Sequence, residues 1–402
     1  MTGPTDPDRI PSRSGTDLDR TPSRSGTDAD RIPSRPGTDP DQTPSPPTPF
    51  SGPAVWRGPG FSDPERWRTR LSESGLAEID AALRETRRRD LTLLRLTAAD
   101  FPLPGLGSDL ARLSGELEHG RGFAVVRGLP VDRLGEKAAS TVFWGIGRHL
   151  GHPVPQNADG LVLGHVGDTG HVGVPGYSPS DLTARGHETP AVLPERGAAP
   201  PFHTDPTDLL ALLALRTPRA GGRVSLVSSA AVHNAVLDRR PDLAGRLYGT
   251  YHFDRRGEHA PGEPPCTAVP LFSRRDGAPS MRYDRRCLES AQRFPQVPRF
   301  APADRELFDL VDSVAASPEY RLDLDLRAGD LLLLNTHRVM HAAAAFEDHG
   351  PPEHRGHLLR LWLAFPPGSG SQDPHPWVTL RDVIRPRGTA ATRATNARRS
   401  TA

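Results

Sequence analysis

Two neighbouring stretches near the carboxyl end of the chain decide its fold. The first reads Asn335-Thr336-His337-Arg338-Val339-Met340-His341-Ala342-Ala343-Ala344-Ala345-Phe346-Glu347-Asp348, and the second reads Arg355-Gly356-His357-Leu358-Leu359-Arg360-Leu361-Trp362-Leu363. The second stretch opens a predicted strand, Leu358 to Phe365, whose only charge is Arg360. Because an unpaired buried charge is costly, this arginine requires a buried anion. A guanidinium can bind a carboxylate through two parallel hydrogen bonds.

A pair of residues earlier in the chain offers ligands for a metal. His203 and Asp205 are separated by one residue, so on a strand both side chains point to the same face. The pattern alone is weak, because about two such pairs are expected by chance. The second pair, His252 with Asp254, precedes a charged run that is typical of a solvated surface. His341 supplies a third ligand for the first pair. Two histidines and one carboxylate on one face leave coordination positions open, as in non-haem Fe(II) oxygenases.

Short apolar runs punctuated by glycine dominate the rest of the chain, whereas helical patterns are few. This composition indicates a mainly β fold of the α+β kind, a β-sandwich or jelly-roll core with flanking helices. The predicted strands are 122–128, 161–166, 209–216, 223–228, 322–326 and 331–335. The predicted helices are a segment that opens at Ser62-Asp63-Pro64-Glu65 and reaches Leu83, a segment over 142–150, and 303–316 after Pro302.

The overall composition excludes several classes of protein. The 402 residues contain 50 Lys and Arg against 49 Asp and Glu, a net charge of +1 that argues against broad electrostatic binding of nucleic acid or of a membrane. No run of about 18 apolar residues predicts a membrane span, and the amino terminus lacks an apolar signal core. Two cysteines cannot form a disulfide framework. The expected location is the cytoplasm, and the oligomeric state stays open.

The two ends of the chain differ in composition from its centre. Near-copies of an eleven-residue unit begin at Asp8, Asp19, Asp30 and Asp41. Each copy carries proline and glycine, which excludes a coiled coil, because proline costs a helix interior about 3 kcal/mol. We therefore expect a disordered arm over 1–55, a single domain over 56–384, and a disordered basic tail over 385–402. The arm is either a repeat without a role or a segment that binds a partner.

The blocks quoted above occur in a recognisable order. The chain resembles the taurine dioxygenase / clavaminate synthase-like superfamily over roughly residues 115–367. The last block is highly specific, whereas the His-Thr-Asp motif is not. In chain order, the blocks that carry the resemblance are His203-Thr204-Asp205, the pair Gly221-Gly222, the turn Ala328-Gly329-Asp330, the block from Asn335 through His341 to Asp348, and the block from Arg355 to Leu363.

The resemblance implies a double-stranded β-helix fold, bound Fe(II), and 2-oxoglutarate as co-substrate. By position, it implies that His203, Asp205 and His341 are the iron ligands and that Arg360 binds 2-oxoglutarate. The implied enzyme is an oxidoreductase, a dioxygenase that uses O2 to hydroxylate an unactivated C–H bond of a small molecule and releases succinate and CO2. An amino acid-like compound or a natural-product intermediate is the expected substrate. The arginine-rich, lysine-poor composition is associated with a role in secondary metabolism.

Three further residues are candidates for the substrate pocket. Gln156 and Asn157 lie in a loop before a predicted strand, and Tyr177 lies in the long segment 167–201, which is predicted to form an active-site lid. His337 is four residues from His341 and is interpreted as structural.

The chain departs from the family pattern at two positions. The family commonly has an arginine two residues after the distal histidine, where this chain has Ala343, and a serine or threonine two residues after the glycine pair, where it has Val224, followed by Ser225. These departures leave an alternative open, a catalytically degenerate protein that binds a small acid through Arg360. A third alternative is a scaffold whose functional part is the amino-terminal arm. Desaturation or ring formation in place of hydroxylation also stays open.

Overall fold

The computed structural model describes residues 47–156, 161–166, 201–259, 262–275, 277–344, 346–347 and 355–365. Within these ranges, no helix combines the length and apolarity that crossing a bilayer requires. The α-helices of this part are α1 (Glu73–Arg88), α2 (Leu106–Glu118), α3 (Val131–Leu150), α4 (Ser229–Arg239), α5 (Arg285–Ala291) and α6 (Pro302–Ala316). The strands are β1 (Arg68–Arg70), β2 (Phe123–Arg127), β3 (His152–Pro153), β4 (Leu163–Val166), β5 (Leu209–Arg216), β6 (Ala220–Gly221), β7 (Val224–Ser228), β8 (Thr250–Asp254), β9 (Cys266–Pro270), β10 (Phe272–Arg275), β11 (Ala278–Met281), β12 (Leu322–Leu324), β13 (Leu331–Asn335), β14 (Val339–Ala343), β15 (Phe346–Glu347) and β16 (His357–Ala364).

The first long helix begins later than the sequence predicts. Pro64 opens only a 3-10 turn, Pro64–Arg66. The residues after this turn form β1, which pairs in parallel with β2 and therefore cannot be helical. Helix α1 then begins after Ser72, whose hydroxyl accepts a hydrogen bond from the backbone N–H of Gly75 at 3.1 Å.

Two sheets form the body of the fold. The larger sheet has seven strands in the order β1-β2-β13-β5-β16-β3, with β4 paired to β16 as well. The smaller sheet has the order β12-β7-β14. Leu210, Leu212 and Trp362 of the larger sheet share one buried cluster with Val224 and Leu226 of the smaller sheet. The two sheets therefore pack face to face, with helices α1, α2 and α3 against the outer face of the larger one.

The alternation of side chains along two strands decides what points into the space between the sheets. On β14, Val339 belongs to the buried cluster between the sheets, and His341 is two residues further along. On β16, Leu358 and Trp362 pack against the same cluster and Arg360 lies between them at the same parity. Since side chains two residues apart share a face, both His341 and Arg360 face the space between the sheets.

The Ala-Gly-Asp turn joins the larger sheet to α3. Gly329 has a φ of +83°, and a Cβ added there would lie 2.0 Å from the carbonyl oxygen of Leu129, so only glycine fits this turn. The carboxylate of Asp330 is fully buried and accepts hydrogen bonds from Nε and Nη2 of Arg127 at 2.7 and 2.5 Å. This bidentate ion pair connects β2 to the start of β13.

The ordered domain extends further toward the amino terminus than the predicted boundary at residue 56. Phe50 and Ala54 are buried in the cluster behind the smaller sheet. The side-chain amide of Asn234 accepts a hydrogen bond from Phe50 N at 2.8 Å and donates one to Phe50 O at 2.9 Å. The ring of Phe50 lies 4.7 Å from the ring of His233. At least residues 47–55 therefore belong to the core domain and not to the arm.

Two amino-terminal truncations are expected to differ sharply in stability. Deletion of residues 1–46 is expected to leave the free energy of unfolding within about 0.5 kcal/mol of wild type, as for surface changes. Deletion of residues 1–55 removes Phe50 and is expected to cost about 3–5 kcal/mol, the usual effect of emptying a buried phenylalanine site. Urea unfolding measures both. In the full chain, Phe50→Ala serves as the matched variant and should reproduce most of the larger loss. Equal stability of the two truncations would contradict this assignment.

Candidate metal centre

A short β-bridge brings two histidines side by side. His203 N donates to His341 O at 3.0 Å, and His341 N donates to His203 O at 2.9 Å. The centroids of the two imidazole rings are 4.3 Å apart. The bridge places the loop that carries Asp205 against β14, although 138 residues separate the two histidines in the sequence.

Three ligand atoms converge at this bridge. Nε2 of His203 lies 4.0 Å from Oδ1 of Asp205, and Nε2 of His341 lies 3.7 Å from Oδ2. One ligand atom from each of the three residues lies within 4.8 Å of the other two. These separations are too long for hydrogen bonds and suit three ligands around one ion.

The hydrogen bonds of the two imidazoles fit a metal ion. Nδ1 of His203 lies 2.8 Å from the carbonyl oxygen of Pro201, which can only accept, so Nδ1 carries the proton and Nε2 keeps its lone pair. Nδ1 of His341 is buried and has no hydrogen-bond partner among the described residues. A buried imidazole without partners is costly, and a metal ion at Nε2 would compensate that cost.

The protonation states also suit metal binding. Burial lowers the pKa of His341 to about 3, and the nearby His203 acts in the same direction, so the His341 imidazole is neutral at pH 7. Burial alone would raise the pKa of Asp205, but His341, His203 and Arg360 outweigh burial and hold that pKa below its usual value. A neutral imidazole and an ionised carboxylate are the forms that coordinate a metal.

A buried hydrogen-bond network holds the two ligand-bearing segments together. Nε2 of His337 lies 3.1 Å from Oδ1 of Asp208, and Nδ1 of His337 lies 2.9 Å from the hydroxyl of Ser280. Thr336 N donates to Asp208 O at 3.0 Å. His337, interpreted as structural from the sequence, thus connects the turn before β14 to the loop after Asp205. Asp208 was missed, because an isolated aspartate before a strand carries no sequence signal.

Arg282 and Asp284 are further charged residues of this region that the sequence analysis missed. Both are buried, and Arg282 donates a hydrogen bond to the carbonyl of Thr204, between the two proximal ligands. The positive charge of Arg282 is among the influences that lower the pKa of Asp205. Burial works to raise the pKa of Asp284, but His203 and Arg286 outweigh it and lower that pKa. The alternating Arg-Tyr-Asp pattern after β11 is the only signal that could have found them.

Arg360 lies on β16 with no acidic partner in the described part of the chain. Its Nε donates to Oε1 of Gln156 at 2.6 Å, and its guanidinium carbon lies 5.2 Å from the centroid of the Trp362 ring. Its charge is close enough to lower the pKa values of both Asp205 and His341. Among the described residues, no carboxylate lies within ion-pair distance of Arg360. An anion near the metal centre would supply the missing partner.

The other predicted pocket residues fall in different places. Gln156 is described, and both ends of its side-chain amide are hydrogen bonded to other residues. Asn157 and Tyr177 lie outside the described residues. The competing pair His252 and Asp254 lies on β8; the carboxylate of Asp254 is buried against Arg293 at 2.7 Å, so this aspartate is a structural residue rather than part of a solvated surface.

The two departures from the family pattern are neighbours in the structure. Ala343 and Val224 are paired across β14 and β7, so an apolar pair stands where the family has an arginine and a hydroxyl. The hydroxyl of Ser225 donates to Asp323 at 2.6 Å. Because Ser225 is one residue from Val224, its side chain points to the opposite face of the sheet and does not replace the missing hydroxyl.

A second cluster of potential ligands lies on the helix side of the larger sheet. Glu136, His165 and His357 also have ligand atoms within 4.8 Å of one another. However, Nη2 of Arg216 lies 2.9 Å from Nδ1 of His357, and Nε2 of His357 lies 2.8 Å from Nδ1 of His165. Arginine can only donate, so His357 must carry its proton on Nε2 and pass it toward His165. This hydrogen-bond chain occupies the nitrogen atoms that a metal would need.

Comparison with known proteins gives a consistent picture of the fold. The FR-33289 synthase of Streptomyces rubellomurinus is 31% identical over 323 residues, which are 78% of this chain and 90% of that protein. The taurine hydroxylase-like protein SAT17 of Stachybotrys chartarum is 30% identical over 311 residues, 76% of this chain and 77% of that protein.

Solved structures extend the comparison. An asparagine oxygenase in complex with Fe(II), 2S,3S-3-hydroxyasparagine and succinate superposes with a TM-score of 0.54 at 16% identity, over 74% of this chain and 94% of that one. The non-haem iron oxygenase OrfP in complex with Fe and alpha-ketoglutaric acid superposes with a TM-score of 0.51 at 19% identity, over 74% and 94%. At these identities the similarity concerns the fold, and it confirms the predicted jelly-roll core.

The family model described as "Taurine catabolism dioxygenase TauD, TfdA family" matches residues 87–362, more than half of the chain. This match covers the proximal ligand pair, the distal histidine and the strand that carries Arg360. The predicted use of iron and 2-oxoglutarate is confirmed with it. The chain belongs to the TauD/TfdA family and is a non-haem iron, 2-oxoglutarate-dependent dioxygenase.

Proposed function

We propose that this enzyme hydroxylates a C–H bond of a small molecule, with His203, Asp205 and His341 as its iron ligands and Arg360 as the residue that binds 2-oxoglutarate. The observation that supports the ligands best is the convergence of two imidazole nitrogens and one carboxylate oxygen within 4.8 Å of one another. The support for Arg360 is a part-buried guanidinium that faces the same space and has no acidic partner among the described residues.

The residues of the chain divide the work of the reaction. Iron bound by the triad would supply the oxidising chemistry, in which O2 and 2-oxoglutarate are converted to succinate and CO2 while the substrate gains a hydroxyl group. Asp205 provides the negative charge that neutralises part of the metal charge, and the neutral imidazoles provide the remaining protein ligands. Arg360 orients the co-substrate through its far carboxylate. The apolar side chains between the sheets exclude water from the centre.

The names of the relatives indicate the substrate class. The asparagine oxygenase structure contains a hydroxylated asparagine, and another OrfP structure contains (3S)-hydroxy-L-Arg. The related proteins from Streptomyces and Stachybotrys are named as a synthase and a taurine hydroxylase-like protein. These names support an amino acid-like compound or a natural-product intermediate as the substrate, and a role in secondary metabolism. O2 as the second co-substrate, a cytoplasmic location and the absence of a nucleic-acid partner stay predictions.

One observation favours a second candidate function. The apolar pair Val224 and Ala343 removes a hydroxyl and a cation that related enzymes offer to their ligands. A protein that binds a small acid through Arg360 without turning it over would tolerate this loss. The intact triad argues against that alternative, because a degenerate site has no reason to keep three metal ligands in place.

An anaerobic titration tests the proposed function. The purified protein is titrated with Fe(II) and then with 2-oxoglutarate, and the weak visible charge-transfer band of the chelate is followed. The band is expected in wild type and in the control Arg84→Ala, an exposed arginine on α1. In Arg360→Ala we expect the affinity for 2-oxoglutarate to fall by about 100-fold or more, the loss for a charged hydrogen-bonded pair.

Three results would contradict the proposal in different ways. Failure of wild type to bind iron would exclude the enzyme. Iron binding without the band would favour the degenerate small-acid-binding protein. A band of normal affinity in Arg360→Ala would assign the 2-oxoglutarate anchor to another residue.

A further inference from the structure

The side chain of Gln156 makes all its hydrogen bonds around Arg360. Its Oε1 accepts from Nε of Arg360 at 2.6 Å, and its Nε2 donates to the carbonyl oxygens of Arg360 and Val162, both at 2.9 Å. Gln156 is only 6% exposed. Its amide group therefore faces the arginine and the adjacent backbone, and has no remaining strong donor or acceptor directed toward a substrate.

A glycine directly opposite Arg360 makes room for this contact. In the pairing of β4 with β16, Gly164 is the register partner of Arg360. A Cβ at Gly164 would lie 2.6 Å from Oε1 of Gln156, so any larger residue would displace the amide. The backbone of Gly164 does not have a positive φ, and space is therefore the only reason for glycine at this position.

The contact restricts the orientation of the guanidinium. Since the group is planar, a hydrogen bond at Nε and the neighbouring Trp362 ring at 5.2 Å define where Nη1 and Nη2 lie. Among the described residues, Gln156 is the only hydrogen-bond partner of this guanidinium, which leaves the Nη edge for an anion. A long arginine side chain that is already ordered loses less conformational entropy when it binds a carboxylate.

We propose that Gln156 is a positioning residue that holds the Arg360 guanidinium in the orientation that binds the far carboxylate of 2-oxoglutarate, and that Gly164 is required because it admits Gln156. This inference rests on the proposed role of Arg360. It assigns Gln156 to the co-substrate site, whereas the sequence alone placed Gln156 in the substrate pocket.

A double-mutant cycle tests the inference. The dissociation constant of 2-oxoglutarate is measured anaerobically, from the chelate band of the Fe(II) protein, for wild type, Gln156→Ala, Gly164→Ala and the double variant. We expect each single variant to weaken binding by about tenfold or more, the usual effect of losing a residue that orients a ligand-binding group. The double variant is expected to bind no more weakly than Gln156→Ala, because the added methyl group then meets empty space. The affinity for Fe(II) is expected to stay unchanged.

Controls separate this effect from folding and from the proposed function. Gly115→Ala on α2, where an added Cβ meets nothing within 4 Å, is the matched glycine variant and should bind 2-oxoglutarate normally. If Arg360→Ala loses the co-substrate while Gln156→Ala and Gly164→Ala keep wild-type affinity, the inference is wrong and the proposed function stands. Additive effects in the double variant, or an equal loss of iron affinity, would also overturn it. If wild type itself does not bind 2-oxoglutarate, both proposals fail.

Discussion

Replacing Asp205 with alanine is expected to abolish the binding of Fe(II) and the formation of succinate together. Asp205 is the only anionic member of the triad, and its low pKa keeps it ionised. Loss of a residue that merely supports a ligand costs about 10–100-fold in metal affinity, so loss of the ligand itself should exceed about 100-fold. Isothermal titration under anaerobic conditions measures the affinity, and substrate-dependent succinate release measures the activity.

Thermal unfolding gives an independent readout of the same loss. A ligand that binds only the folded state stabilises it by about 2.7 kcal/mol when present at 100 times its dissociation constant. Wild type should therefore gain melting temperature on addition of Fe(II), and Asp205→Ala should gain none. The control Asp242→Ala removes an exposed carboxylate paired with Arg240 and should behave as wild type. A normal metal-dependent shift in Asp205→Ala would remove Asp205 from the ligand set.

The largest effect on stability is expected from Asp330→Ala. This change leaves the guanidinium of Arg127 largely buried without its bidentate partner, and it also removes the acceptor for the backbone N–H of Arg327 at 2.9 Å. Breaking a buried ion pair from one side costs about 3–5 kcal/mol, because the remaining charge is uncompensated. Urea unfolding is the measurement. The exposed pair Arg57–Glu319 provides the control, since Glu319→Ala should cost less than about 1 kcal/mol.

A second variant tests whether the buried charge is the cause. In Arg127→Met with Asp330→Ala, both charges are absent, and much of the lost stability should return, because apolar replacement of a buried pair is often neutral. If the double variant is as unstable as Asp330→Ala, the turn geometry and not the unpaired charge explains the loss. The pair matters to the site because β13 leads directly into the turn that carries His337 and His341.

Local sequence patterns were sufficient for the elements that position the site. The predicted strands at 209–216 and 331–335 match β5 and β13, and the predicted helix at 303–316 matches α6. These patterns are local, since burial on a strand or on one helix face requires apolar residues at short, regular spacing. The predicted helix start at Pro64 was wrong, because pairing with β2 overrides the local preference of that segment.

Contacts between distant residues were outside the reach of such patterns. Phe50 and Asn234 are 184 positions apart, and their pairing moved the domain boundary. His337 and Asp208 are 129 positions apart, and Gln156 and Arg360 are 204 apart. In each case a polar residue takes its role from a partner that only the register of the sheets brings near.

The sequence by itself determined the class of fold, the three candidate iron ligands and the need of Arg360 for an anion. Spacing along a strand decides which ligands share a face, and a charge in an apolar strand reveals its need for a partner without coordinates. Only the tertiary structure decided that Gln156 supports Arg360, that Gly164 makes room for it, and that Val224 faces Ala343. These facts depend on strand register, where a shift of one residue would turn every side chain to the opposite face.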